Sequence, residues 1–414
     1  MNPKIFDISV IGSGAAGIAA IGVLLEQKIP RILWIDPQFS GGRMPLYTKV
    51  PSNTKVSIFR DFIQKCETFK KFSELSRKTE NPMAAYEGLD PEKTCSLDLC
   101  LKKLLILTHD IRKYHDSTVL FSKGYVTSLT QERFKDSNKW MIKIQNENIF
   151  DEVHSKAVIL ATGSRPKYFS EANDFSRKYG VKSEYNLYSP ELIDLDTSLD
   201  PQLLQERIKV EDVVAVIGSS HSSMVIIKNL VELSQSPKKI ICLYIEPLKF
   251  AENMPEGWIL YDNTGLKGDV ADWVRNSLLK GKVPQVEMVL LDKQQNILKE
   301  KIPLCSKIIY TVGFERNPVP QITLKSGLKE IIVEEKNVTY NNKTSEVQIL
   351  EEGNRKTLEG LYGCGIAWPE QTVDPKGNVE YAVGLAKFMN HAIRVIPEVV
   401  LRNLRMQEVG KGKL

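Results

Sequence analysis

Residues 5–36 read IFDISVIGSGAAGIAAIGVLLEQKIPRILWID, and the order of residue types within them decides the fold. Ile5 to Ile11 is a short apolar run that reads as a strand. Gly12, Gly14 and Gly17 follow in G-x-G-x-x-G spacing. An Ala/Ile/Leu-rich helix is expected to about Gln27, then a second strand from Ile32 to Ile35, closed by Asp36. The three glycines do different physical jobs. Gly12 makes the tight turn, Gly14 lets backbone approach a pyrophosphate, and Gly17 lets the helix close on the sheet. With Ser13, Ala15 and Ala16 they offer phosphates free N–H groups and the positive end of a helix dipole. Asp36 lies 19 residues past Gly17, where a carboxylate accepts hydrogen bonds from ribose hydroxyls, and Pro37 extends that candidate site. Strand before, helix after and acid at the next strand end are the context that a dinucleotide site requires.

Ile8 to Leu25 carries no charge, which raises a membrane span or a signal peptide as the competing reading. The run holds four glycines and only just reaches the roughly 18 residues of a span. Asp7 also interrupts any basic flank, so no span is expected. At 414 residues the chain exceeds one ordinary core and predicts two or three domains. The net charge of +5 is mild, and no basic block with interleaved aromatics argues for nucleic acid. None of the six cysteines forms a C-x-x-C pair, so neither a redox dithiol nor a metal site is expected. A reducing, cytoplasmic setting fits best.

Further along, Leu97, Leu101, Leu104, Leu105 and Ile111 recur at helical spacing and predict a packing helix. TVLFSKGYVTSL, KWMIKIQ and KAVILATG read as a strand, a small antiparallel insertion and a return strand ending at Thr162 and Gly163. Residues 166–209 read as a connection. At Val213 the opening pattern repeats as VVAVIGSSHSSMVIIKNLVEL, with KKIICLYIE ending in Glu246. Gly218 is kept there, but Ser220 and Ser223 take the second and third glycine positions. Serine is small and donates to phosphate, so the turn is a candidate nucleotide site; a packed βαβ unit without nucleotide is the alternative. His221 lies inside this turn, either donating to a phosphate or facing solvent. SKIIYTVGF and LYGCGIA, carrying Gly365, are expected to rejoin the first sheet.

This order of motifs resembles the two-dinucleotide-domain flavoproteins of the pyridine nucleotide-disulfide oxidoreductase type. The loop SGGRMPLYTKVPSNTKVSIF is most similar to flavin-containing monooxygenases. The resemblance implies an α/β fold: a Rossmann-like FAD-binding domain (1–165 plus 305–414) with an inserted second Rossmann-like domain (210–304). It implies Gly41 and Gly42 near the pyrophosphate, Asn53 beside the flavin as catalytic residue (a loop asparagine capping a turn is the alternative), Val126 against adenine in the strand before the ATG motif, and Thr162, Gly163 and Gly365 at the cofactor. Arg43 would either reach a phosphate or the flavin or stand exposed, and Trp368 and Pro369 either line the flavin pocket or pack in the core. The chain departs from the family in lacking the F-x-G-x-x-x-H-x-x-x-Y fingerprint; LYSPELID stands there without its histidine. The function implied is an FAD-dependent, NADH- or NADPH-using oxidoreductase acting on a small molecule, with oxygenation the leading subtype. A flavin reductase or quinone-type oxidoreductase, or an FAD-binding interaction protein, are the alternatives. Substrate and oligomeric state are not readable.

Overall fold

The computed structural model describes residues 5–75, 86–134, 137–147, 149–169, 190–291 and 296–409. Parts of the charged stretch 60–96 and of the connection 166–209, including the start of LYSPELID, lie outside the described residues.

The opening stretch forms β1 (Ile5–Ile11), α1 (Ala15–Glu26) and β2 (Ile32–Asp36). A loop leads to β3 (Pro51–Lys55), α2 (Val56–Gln64), α3 (Glu67–Leu75), β4 (Thr94–Ser96) and α4 (Leu97–Tyr114). Ser96 caps α4 by accepting from the Asp98 N–H, and Asp98 in the first turn suits the helix dipole. Then come β5 (Val119–Lys123), β6 (Tyr125–Phe134), β7 (Ser137–Asn146) and β8 (Ile149–Leu160). Strand β1 lies between β8 and β2, with β5 beyond β2, all parallel. Parallel strands covered on both faces are buried along their length, and β1 is buried from Phe6 to Ile11, apolar throughout except for Asp7 and Ser9. Nine residues of α1 are buried, and Gly22 leaves room for the Phe69 ring of α3. Strands β6, β7 and β8 form an antiparallel meander.

Five parallel strands make a second sheet: β9 (Glu191–Ile193), β10 (Val213–Ile217), β11 (Lys239–Tyr244), β12 (Val286–Leu290) and β13 (Lys307–Tyr310), in the order β9-β13-β10-β11-β12. The short helix α5 (Leu195–Leu199), α6 (His221–Glu232) and α7 (Gly268–Trp273) accompany it. The chain then returns through β14 (Gln321–Ser326), which pairs with β6, and β15 (Asn354–Gly363), whose end pairs with β8. A hairpin of β16 (Glu370–Val373) and β17 (Val379–Ala382) precedes α8 (Leu385–Val395), which packs on α1.

Two expectations are corrected. The strand in SKIIYTVGF does not rejoin the first sheet: β13 lies between β9 and β10. Its KIIY core suits the middle of any parallel sheet, and its Ile308 and Ile309 are buried among the second unit's residues. The connection 166–209 likewise contributes β9 to that sheet. Chain exit and return meet at one place, where Ser164–Pro166 pairs antiparallel with Phe314–Arg316 and Arg165 bonds Glu315 at 2.8 Å. Among the described residues no helix is long and apolar enough to cross a membrane.

Candidate functional site

The first glycine turn closes on itself by contacts that leave no room for side chains. Gly12 has φ +111°, and a Cβ there would lie 2.2 Å from the Ala161 carbonyl oxygen. A Cβ on Gly17 would lie 2.0 Å from the Gly12 oxygen. That same carbonyl accepts from Trp34 Nε1 at 2.9 Å. Gly14 differs, since the nearest atom to a Cβ there is Gly42 Cα at 3.9 Å. Two backbones with no side chains thus face each other, Gly42 itself at φ +68°. From the other side Gly365 comes against Ala16, with a Cβ on Gly365 only 2.5 Å from the Ala16 Cβ. Ala15 opens the helix beside them. The hydroxyls of Ser13 and Thr162 are buried here without a partner. Buried polar groups are normally satisfied, so these two, with the side-chain-free approach of the two loops, fit a phosphate-bearing ligand.

Asp36 is drawn into the turn. Its carboxylate accepts from the Ser13 N–H at 2.8 Å, and from Gln38 at 2.8 Å and Phe39 at 2.7 Å. Pro37 sits between these contacts, half-buried. An ionised carboxylate accepts about four hydrogen bonds, so capacity for one ribose hydroxyl remains. Val126 lies at the start of β6, beside Gly124, whose N–H donates to the Asp36 carbonyl at 3.3 Å. It is therefore near the end of β2 but not in the strand leading into Thr162 and Gly163, which is β8. Gly163, at φ +71°, starts the crossing to the second unit, where its carbonyl and that of Thr162 accept from Asn317.

The second turn divides its residues differently. Gly218, φ +127°, is packed against Thr311 and Ser223. Ser223 is fully buried, and its Oγ meets Thr311 Oγ1 at 2.7 Å; Thr311 donates on to the Ile217 carbonyl at 2.6 Å. Its expected role at phosphate is corrected: the third position of the turn faces the strands, where glycine would only allow close packing. Ser220 is exposed at the N-cap of α6, its side chain making no cap bond. Glu246 pairs with Lys249 at 2.5 Å. His221 does not face solvent. Its Nε2 meets the Pro51 carbonyl at 3.3 Å, and burial lowers its pKa.

Between the two units lies a cavity of about 690 Å³, lined on one side by Asn53, Lys55 and Thr94 and on the other by Leu266, Lys267 and Arg275. Asn53 on β3 thus faces a cavity to which both units contribute. Trp368 packs in the core: it is 1% exposed, against Arg316 and Tyr340, whose hydroxyl donates to the Pro369 carbonyl.

No family model matches the chain. Monooxygenase AgnR1 from Paecilomyces divaricatus is 34% identical over 406 residues, which is 94% of this chain and 96% of that protein. The chain belongs to the family of that monooxygenase. Among solved structures, L-lysine 6-monooxygenase from Pseudomonas syringae aligns with a TM-score of 0.57 at 12% identity, over 96% of this chain and 99% of that one. The FAD-bound form of OTEMO aligns with a TM-score of 0.53 at 12% identity, over 98% and 99%. The fold of this monooxygenase-family chain is therefore that of the two-dinucleotide-domain flavoproteins.

Arg43 of this monooxygenase-family member is engaged by the second unit. Its guanidinium pairs with Asp196 of α5, to which the Tyr47 hydroxyl also donates at 2.9 Å. Burial works against the Arg43 charge, but the bonds to Asp196 and Tyr47 outweigh it and raise its pKa. Burial pushes the Tyr47 phenol up to about 12. The pair lies across the two units, which sequence spacing cannot reveal. Asp196→Ala is expected to lower stability by about 1 kcal/mol, as for a half-exposed charge-assisted bond. A melting-temperature cycle with Arg43→Ala and the double variant checks this; additive effects would deny the coupling.

Proposed function

We propose that the chain is an FAD-dependent monooxygenase that takes electrons from NADH or NADPH and places an oxygen atom on a small organic molecule. The observation that carries it is the close approach of two side-chain-free backbones at Gly14 and Gly42, where a Cβ on Gly42 would lie 3.1 Å from the Gly14 Cα, together with the buried, unpartnered hydroxyls of Ser13 and Thr162. The relationship to a monooxygenase supports the reaction type. In this reading Gly12 to Gly17 and Gly42 hold the pyrophosphate, Asp36, Pro37 and Val126 hold the adenosine end, and Gly163 and Gly365 flank the cofactor. Residues 5–169 with 314–409 form the FAD domain, and 190–313 the nicotinamide domain. FAD, when bound, accepts a hydride and in its reduced form reacts with oxygen. The protein orients both ligands across the cavity, and Asn53 supplies an uncharged donor and acceptor there. Six free cysteines support a reducing, cytosolic compartment.

The visible spectrum of the purified protein tests the reading, before and after adding NADH or NADPH with and without oxygen. Flavin bands that bleach with nicotinamide and return with oxygen are expected. A colourless protein that FAD does not reconstitute would sink it, and bleaching without any oxygenated product across a substrate panel would favour a reductase.

NADH is expected to reduce the flavin faster than NADPH. Glu246 follows β11, where a carboxylate accepts from ribose hydroxyls and repels a 2′-phosphate. Its pairing with Lys249 offers only a point charge in compensation. Glu246→Ala should narrow the preference by roughly tenfold, about one charge-assisted hydrogen bond. Anaerobic stopped-flow reduction decides, and faster reduction by NADPH in the unaltered protein would reverse the assignment.

A further inference from the structure

The segment from Arg43 to Lys55 runs from the Gly41–Gly42 turn to Asn53, yet the second unit holds it in three places. Arg43 and Tyr47 both bond Asp196. Val50, 7% exposed, sits in the apolar core of the second sheet, with Tyr47 packed against the same cluster. The Pro51 carbonyl meets His221 Nε2. A carbonyl oxygen only accepts, so Nε2 carries the hydrogen, and in the neutral ring Nδ1 is a bare acceptor. Among the described residues that Nδ1 is buried without a partner. An unmet buried acceptor is costly and calls for an explanation. His221 is the first residue of α6, at the head of the second glycine turn, and Pro51 is two residues before Asn53.

We propose that His221 is a positioning residue that transmits the state of the second glycine turn to Asn53. One ring nitrogen fixes the strand that carries Asn53. The other is completed by a hydroxyl or amide N–H of the nucleotide at that turn. The proposal rests on the assignment of that turn to NAD(P)H. It does not require His221 to touch the reacting atoms.

Hydrogen exchange of the peptide covering residues 47–58 tests it, measured on the full chain as unaltered protein, His221→Leu and His221→Gln, with and without NADH. In His221→Leu, exchange at Ser52 to Thr54 should quicken roughly fivefold, the worth of one hydrogen bond. His221→Gln keeps an amide N–H for the Pro51 carbonyl and should recover most of it. NADH should slow exchange of this peptide in the unaltered protein but not in His221→Leu. In turnover, His221→Leu should lower the kcat for oxygenated product roughly fivefold and release peroxide instead, with nicotinamide KM changed less than about twofold. Unchanged exchange in His221→Leu, or no recovery in His221→Gln, would overturn the proposal. The exchange readout reports on the strand whether or not flavin is bound, so loss of the flavin assignment is visible separately, as a colourless unaltered protein.

Discussion

Gly14→Val is expected to give a folded protein that purifies without FAD. Gly14 has φ −71°, a conformation open to any residue, and its Cβ would meet nothing closer than Gly42 Cα at 3.9 Å. The backbone therefore tolerates the change. The branched side chain instead crowds the close approach of the two glycine loops, against which the pyrophosphate would lie. Affinity should fall by roughly a hundredfold or more, about 3 kcal/mol, with the melting temperature of the FAD-free protein little altered. Gly12→Ala and Gly17→Ala are the contrast. Their Cβ atoms would lie 2.2 Å and 2.0 Å from carbonyl oxygens, so these variants should lose the fold itself. FAD titration by fluorescence quenching, beside thermal unfolding, separates the two behaviours. A yellow Gly14→Val protein with ordinary affinity would remove the first turn from the cofactor site.

Asn53→Ala should spare flavin binding and reduction but lower oxygenated product by roughly a hundredfold, the scale set by removing one preorganised donor at a reacting centre. The residue lines the cavity between the units, and among the described residues its Oδ1 accepts only from its neighbour Thr54 at 3.2 Å, so the nearby fold does not lean on it. Consumption of nicotinamide should continue, with hydrogen peroxide taking the place of product. Product and peroxide counted per NADH consumed give the answer. An Asn53→Ala enzyme that still couples the two would move the chemistry elsewhere in the cavity.

Much of this was legible because it is local. Gly12, Gly14, Gly17 and Asp36 stand within one βαβ unit, and their spacing alone sets which backbone atoms approach. The second turn was legible as strand, turn and helix, but the direction of Ser223 was not. Residue type suggested a phosphate donor, while helix phase turns it toward Thr311. The strand Lys307–Tyr310 was recognisable as a strand, but an apolar run does not say which sheet it joins. Arg43 looked like a cofactor ligand because its partner, Asp196, is 153 residues away. His221 and Pro51 are 170 residues apart, and nothing in either segment announces the other. What sequence hid in each case was a choice of partner made by the packing of one unit on another.

The antiparallel pairing of Ser164–Pro166 with Phe314–Arg316 gives the molecule a modular character. Neighbouring strands of such a pair run about 5 Å apart, so everything from Lys167 to Gly313 leaves and re-enters through one doorway. The N–H of Lys167 even donates to the Gly313 carbonyl at 3.1 Å, as at the base of a hairpin. A two-residue turn grafted there would close the remaining chain at small entropic cost. The same doorway would accept a different nucleotide cassette of any length. What such an exchange would not carry across is the grip on Val50 and Pro51, so a transplanted cassette would arrive connected but uncoupled.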